Sequence, residues 1–295
     1  MTQLFHEPVM VEEVCHFLLQ GDGVYVDATV GGGGHARAIL ERLGPSSVLL
    51  GIDRDREAIE AARKVLAPFA PRVLLVQERF SRLRDVLASF GIARVRGVLF
   101  DLGFSSWQLE ESRRGFSFLK EGPLDMRMDP SSGETAYDLI HRLSERELAD
   151  IFFRFGEERY ARRIARAIVQ YRRRKPITTT TELSRLIAQI VPRGRIHPAT
   201  RVFMALRIAV NRELDELQRA LEQLPTLLEE GGRVVILSYH SLEDRLVKRF
   251  FRECPLLKSL TKEPVVPSKE EVQRNPRARS ARLRAAERIV GEEKV

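Results

Sequence analysis

The chain has 295 residues, 43% of them hydrophobic, and carries a formal charge of +8 from 49 basic and 41 acidic side chains. That length holds one large domain with an insertion, or two domains, and that apolar content sustains a real core. No apolar run approaches the ~20 residues needed to span a bilayer, no signal-peptide stretch opens the sequence, and Cys15 and Cys254 stand far apart; no membrane, no disulfide framework and a cytoplasmic location are expected.

The first expected strand is 24–30, Val24-Tyr25-Val26-Asp27-Ala28-Thr29-Val30, and it runs straight into Gly31-Gly32-Gly33-Gly34-His35. Glycines here let the backbone pass close to a ligand where a Cβ would collide. A helix is expected over 35–43, with Ala36, Ile39, Leu40 and Leu43 on one face, so its first N–H groups face the same ligand. The second strand, 48–52, is closed by Asp53, 22 residues after Gly31, where a strand-end carboxylate can hold two ribose hydroxyls. Gly31-x-Gly33-x-x-Ala36 alone fits a dinucleotide site, an adenosyl site or a tight turn without ligand. Asp27 shifts the balance. A carboxylate just before the glycines suits a ligand with a cationic amino group, such as S-adenosylmethionine, and opposes the two phosphates of a dinucleotide. The alternative reading of Asp27 is a buried structural acid that caps the loop.

Helices over 55–66 and 81–90 alternate with strands 73–77 and 97–101. Each strand is almost wholly apolar, as in a parallel sheet covered on both faces. Phe80, just past the third strand, is either a wall for an adenine ring or ordinary core. The fourth strand ends at Asp101, which opens Asp101-Leu102-Gly103-Phe104-Ser105-Ser106-Trp107-Gln108. An exocyclic amine on a base is a poor nucleophile because its lone pair is delocalised into the ring. Acceptors that hold its two hydrogens favour the pyramidal nitrogen needed for attack, and Asp101 either serves this purpose or binds the donor. Phe104 or Trp107 would stack the base.

The fifth such run, 233–238, follows only after residues 102–232, far more than an ordinary crossover requires. A helical domain over 109–207 is therefore expected to be inserted, and 1–108 with 208–295 to form the ligand-binding domain. The insertion opens with loop-like sequence around 113–118 and 122–130. Helices follow at 135–152, at 157–174, at 182–191 (capped by Thr181 and ended by Pro192), and from 199 to 222. The insertion has 20 basic and 13 acidic residues against 29 and 28 elsewhere, so nearly all the excess charge lies in it. That is either a solvated helical surface or a polyanion-binding module, with Arg113, Arg114, Arg127, Arg172, Arg173, Arg174 and Lys175 as candidate phosphate contacts. The abundance of Arg, 41 residues against 8 Lys, fits phosphate binding as well as a hot or GC-rich source.

After the fifth strand come Tyr239-His240-Ser241, a helix at 243–252, β-like segments at 260–266 and 281–289, and a spacer, 267–280, that reads as a mobile loop. His240 either shuttles the released proton or hydrogen-bonds within its turn. No histidine spacing suits zinc, and no metal is expected. The fold class is α/β: a doubly wound, Rossmann-like methyltransferase sheet with an inserted all-helical domain. An NAD-linked oxidoreductase and a non-catalytic RNA-binding assembly factor are the rivals. Asp27 and a missing substrate-domain signature oppose the first. The intact acids at 27, 53 and 101 oppose the second.

These residues, read together, resemble the RsmH (MraW) family of bacterial S-adenosylmethionine-dependent rRNA methyltransferases nearly end to end. The matching blocks include His6-x-Pro8-Val9, Gly31 to His35, Asp53-Arg54-Asp55, Asp101-Leu102-Gly103-x-Ser105-Ser106, Arg114-Gly115-Phe116-Ser117-Phe118 and Gly122 to Met128. They continue with Gly156-Glu157-Glu158-Arg159, His197-Pro198-Ala199-Thr200-Arg201, Ser241-Leu242-Glu243-Asp244-Arg245 and Asn275 to Ser280. The resemblance implies methylation of the N4 amine of a cytidine in 16S rRNA, near the decoding site of the small ribosomal subunit. It also implies donor contacts at Gly33, Gly34, His35, Asp53, Phe80, Asp101 and Gln108.

Overall fold

The computed structural model describes residues 8–192 and 194–290, which leaves His6 outside the description. The chain forms two compact units, one running to Gly103 and resuming at Leu214, the other Phe104–Glu213. These borders lie a few residues outside the expected 109 and 207.

In chain order the first unit begins with α1 (Val11–Leu18), β1 (Val24–Asp27), α2 (Gly34–Arg42), β2 (Val48–Asp53), α3 (Arg56–Leu66), β3 (Val73–Gln77), α4 (Leu83–Ser89) and β4 (Val95–Asp101). The helical unit holds α5 (Ser106–Glu110), α6 (Ala136–Arg142), α7 (Glu145–Gly156), α8 (Ala161–Arg172), α9 (Thr180–Ala188) and α10 (Thr200–Asn211). Then follow α11 (Glu213–Leu227), β5 (Leu228–Ser238), α12 (Ser241–Glu253), β6 (Leu257–Ser259), α13 (Lys269–Arg274) and β7 (Arg282–Arg288).

The seven strands lie in the order β3-β2-β1-β4-β5-β7-β6. β1 to β5 are parallel, while β7 runs antiparallel to β5 and β6 antiparallel to β7. Because side chains alternate along a strand, Val26, Leu50, Val98 and Val234 enter the core on one face and Tyr25, Leu49, Leu99 and Val235 the core on the other. The strand order reverses direction beside β1 and β4, so the crevice for a ligand opens at the carboxyl ends of those strands.

Several expected elements end differently, each for a local reason. β1 stops at Asp27, where the Thr29 N–H turns onto Asp27 Oδ1 at 3.2 Å. The expected helix 135–152 is two, α6 and α7, because Ser144 caps a new helix: its Oγ accepts from Glu147 N, and Glu147 Oε2 accepts from Ser144 N at 2.8 Å. The next helix starts at Ala161 rather than 157, after Glu157 closes α7 in a left-handed conformation. Thr179, not Thr181, caps α9. The expected helix 199–222 breaks at Arg212, which is left-handed (φ 51°), and Asn211 beside it holds the loop through Met128 N and Met126 O, both at 2.8 Å. The strand expected at 260–266 is instead Leu257–Ser259, with one further bridge from Val265 to Leu283. The spacer 267–280 is structured rather than a loose loop. It holds α13 and a 3-10 turn, Ala278 is buried, and Glu271 accepts from the Met10 N–H at 2.7 Å.

Gly51 sits in the middle of β2, where a Cβ would lie 2.7 Å from Leu75 and 2.9 Å from Val30. Gly51→Ala is expected to destabilise the protein by about 1–3 kcal/mol through overpacking. A denaturant midpoint equal to that of the unsubstituted protein would show that the strand relaxes freely.

Candidate functional site

Three strand ends bring three carboxylates together. Asp27 ends β1, Asp53 ends β2 and Asp101 ends β4. Parallel register aligns them, with Asp27 opposite Gly51 on one side and Leu99 on the other.

Asp53 organises the glycine loop. Its Oδ2 accepts from the Gly31 N–H and its Oδ1 from the Asp55 N–H, each at 2.9 Å. Every carboxylate oxygen has a second lone pair, so both retain capacity for a hydroxyl donor. Burial raises the Asp53 pKa to about 6, against the two backbone hydrogen bonds that lower it. Gly31 (φ 49°) and Gly33 (φ 85°) adopt left-handed conformations, and Gly33 is the N-cap of α2. A Cβ on Gly31 would meet nothing closer than Thr29 O at 3.8 Å, so the space above it is open to a ligand. The first-turn N–H groups of α2 have no intrahelical partner, which adds a partial positive end to this corner.

Asp27 is fully buried. Its Oδ1 takes the Thr29 N–H, and its Oδ2 has no hydrogen-bond partner among the described residues. Desolvation is the largest influence on it and pushes its pKa up to about 7, the His35 ring opposes, and the charges of Asp101 and Asp53 add to the rise. A buried acceptor with no donor is complementary to a cationic, hydrogen-bearing group.

Asp101 is held on every side. Its N–H reaches Thr29 Oγ1 at 2.6 Å, the Tyr239 hydroxyl donates to its Oδ1 at 2.6 Å, and His35 Nδ1 lies 3.5 Å from its Oδ2. His35 Nε2 lies 2.8 Å from Val9 O. Phe80 stays partly exposed and meets Phe100 edge-on at 5.6 Å. Its turn is pinned from α11, where Glu216 accepts from Ser81 Oγ and Gln223 Nε2 donates to Ser81 O at 2.7 Å.

His240 is the N-cap of α12. Its Nδ1 accepts from Glu243 N at 3.3 Å, and its Nε2 lies 3.1 Å from Glu243 Oε1, so the ring sits within its own turn. Gln108, expected in the ligand-binding domain, belongs to the helical unit, where it is buried and its Oε1 accepts from Ser105 N at 3.0 Å. Phe104, also in the helical unit, stacks on Phe116 at 5.8 Å and carries the Arg207 guanidinium 4.7 Å over its ring, so its surroundings are already partly filled.

Four of the candidate phosphate contacts are engaged otherwise. Arg114 is buried and donates to Arg127 O and Met128 O, at 3.3 and 2.9 Å. Arg127 forms a two-pronged pair with Asp125, at 2.9 and 2.8 Å, and Arg172 donates to Ile140 O. Lys175 pairs with Glu182 at 2.8 Å. Arg173 and Arg174 are exposed, and so is Arg113, 3.5 Å from Glu111. The outer face of α8 adds exposed Arg162, Arg163 and Arg166 opposite buried Ile164, Ala165 and Ile168. Sequence reading missed them by attending to the terminal run of cations. It also missed Thr29 and Tyr239, although Tyr239 directly follows β5 and so stands at the ligand end of the sheet.

A family model described as the MraW methylase family matches residues 3–289. The chain belongs to the MraW methylase family. Among curated MraW relatives, proteins named ribosomal RNA small subunit methyltransferase H are 49% identical in Syntrophus aciditrophicus, covering 97% of this chain and 98% of that protein. The one in Geotalea uraniireducens is 50% identical (98% and 100%), and the one in Syntrophotalea carbinolica 51% (96% and 98%). A solved rRNA methylase structure from Streptococcus thermophilus superposes with a TM-score of 0.45 at 12% identity, over 95% of this chain and 94% of that one. At that level the strand order, rather than the superposition, defines the fold.

A carboxyl whose folded pKa exceeds its unfolded value stabilises the fold below the unfolded value and loses that contribution as pH rises through the folded one. Ligand-free protein should therefore lose stability between about pH 4 and pH 7 as Asp27 is forced to ionise in its buried site. Asp27→Asn should flatten this decline, leaving the variant the more stable at pH 8. Parallel pH–stability curves for the two proteins would show that Asp27 is not the group responsible.

Proposed function

We propose that this chain is an S-adenosylmethionine-dependent methyltransferase of small-subunit ribosomal RNA, and that it methylates the N4 amine of a cytidine in 16S rRNA near the decoding site. The observation that carries the donor assignment is the unpartnered, buried Oδ2 of Asp27 beneath an open glycine loop. An ammonium group supplies the missing hydrogen and charge there. A pyrophosphate would meet three carboxylates instead, which disfavours a dinucleotide. The names carried by relatives that are about half identical support ribosomal RNA as the substrate.

In this reading Asp53 holds the ribose hydroxyls, Gly31, Gly33, Gly34 and the backbone at His35 line the donor, and Phe80 lies against the adenine. The family resemblance adds Gln108 to the donor contacts. Bound donor supplies a methyl group on a sulfonium, which leaves as a neutral thioether. Asp101 accepts hydrogens of the target amine and keeps its nitrogen pyramidal for attack. The residues' main contribution is alignment in a dry pocket, worth ~7 kcal/mol when the geometry is ideal. The transfer itself requires no metal. The target base leaves its stack to reach the amine acceptor.

The exposed cations of the helical unit grip the RNA backbone, with Arg113, Arg173, Arg174 and the α8 arginines as the phosphate contacts. Among the described residues no helix is long and apolar enough to cross a membrane, in keeping with an enzyme that works on small subunits or their rRNA in the cytoplasm.

Incubation with methyl-tritiated donor should label small subunits or their rRNA at cytidine and leave DNA unlabelled; label on none of them defeats the enzymatic reading. Asp53→Ala should weaken donor binding by about tenfold to a hundredfold, the loss of charge-assisted hydrogen bonds. An unchanged calorimetric affinity would mean that the ribose is held elsewhere. Removing one phosphate-contacting Arg, such as Arg173, should lower the salt slope of RNA binding by about one unit. Slopes identical at every one of these positions would remove the helical unit as the RNA grip.

A further inference from the structure

Methyl transfer to an amine releases one proton, and the site sets an imidazole nitrogen opposite a carboxylate oxygen, two groups that can share one. A carbonyl oxygen only accepts hydrogen bonds, so the 2.8 Å contact to Val9 O requires the hydrogen of a neutral His35 ring to sit on Nε2. Nδ1 then presents a lone pair, and 3.5 Å away it faces Asp101 Oδ2, a carboxylate oxygen. Two lone pairs opposed inside a protein repel, and a single proton between them turns the repulsion into a hydrogen bond. The ring is almost fully buried and the carboxylate is 16% exposed, so Asp101 is the member open to a substrate.

We propose that His35 Nδ1 and Asp101 Oδ2 together receive the proton that the target amine loses, with Tyr239 as the positioning residue that aims the carboxylate. The inference rests on the methyltransferase reading above. The amine lone pair forms the new N–C bond, and the C–S electron pair stays on sulfur. The N–H electron pair returns to nitrogen as the proton passes to Oδ2, where Nδ1 shares or takes it. The histidine–aspartate pair goes from a net charge of −1 to neutral and yields the proton to water on product release. No oxidant, metal or further reactant is needed.

Tyr239 matters because it fixes how the carboxylate is turned. Its hydroxyl donates to Asp101 Oδ1 at 2.6 Å, which leaves Oδ2 on the side of His35. Burial and the adjacent Asp101 charge raise the Tyr239 pKa well above its usual value, which keeps the hydroxyl a donor. The side chain of His35 is directed at Val9 and Asp101, so its contact with the donor comes from the backbone at the start of α2.

The test uses the full-length enzyme with saturating methyl-tritiated donor and unmethylated small subunits, read as a single-turnover rate. Affinity for S-adenosylhomocysteine and the thermal midpoint are measured beside it. His35→Gln keeps a hydrogen-bond donor for Val9 O and removes the base at Nδ1. Its rate should fall by about tenfold or more, the lower end of what a positioned base contributes, while product affinity changes less than about twofold. His35→Asn also lacks the base and should show the same loss, which keeps the test open if the first variant does not fold. Tyr239→Phe should slow transfer without loss of affinity. Its combination with His35→Gln should cost less than the product of the two effects, because both act through one carboxylate. A folded His35 variant that transfers as fast as the unsubstituted enzyme overturns the proton assignment, as does a rate loss fully matched by lost product affinity. If the unsubstituted enzyme itself transfers no label, the methyltransferase reading falls and takes this one with it.

Discussion

Three acids at the ends of three adjacent parallel strands set the terms for everything else at the crevice. Parallel pairing fixes the heights of Asp27, Asp53 and Asp101, so none of them can withdraw from the others without breaking a ladder. Each is stabilised differently. Asp53 takes two backbone N–H groups, Asp101 takes a tyrosine hydroxyl and faces an imidazole, and Asp27 takes one backbone N–H and is otherwise left to desolvation. The glycine loop follows from this arrangement. Only a backbone able to turn left-handed at Gly31 can put its N–H on Asp53 while leaving the space above open.

The two units also differ in charge. The strand-built unit gathers acids around a ligand crevice and is close to neutral overall, whereas the helical unit carries the cations. Within the helical unit the buried arginines have structural tasks. Arg114 joins two loop carbonyls, and Arg207 lies over Phe104 while it pairs with Glu213. Counting cations therefore overstates the surface available to a polyanion, and the exposed rows on α8 are the better guide.

The sheet was readable in the sequence because its strands are short, apolar runs bounded by turn signals, a pattern with few alternatives. So were Asp27, Asp53 and Asp101, since strand-end acids in such a sheet point at the crevice. What escaped was set by side-chain hydrogen bonds that periodicity does not register. A single apolar stripe runs through 135–152, but the capping pair Ser144 and Glu147 starts a new helix inside it. Likewise Arg212 and Asn211 end α10 where the apolar pattern continues without a break. Contacts over long sequence separations, such as Tyr239 on Asp101 or Glu271 on Met10, have no local signature at all.

Placing the helical unit between β4 and β5 has a consequence for biosynthesis. The core cluster of that unit, with the side chains packed against it, draws on residues between Phe118 and Val210, so it can pack as soon as its own stretch has left the ribosome. The sheet cannot. β4 needs β5 as its outer neighbour, and β5 needs β7, and both come after the helical unit in the chain. At ordinary translation speeds the edge of β4 waits on the order of ten seconds for its partner. The segment made in the middle of the chain is thus finished first, and the ligand crevice is assembled around an edge that has stood open throughout its synthesis.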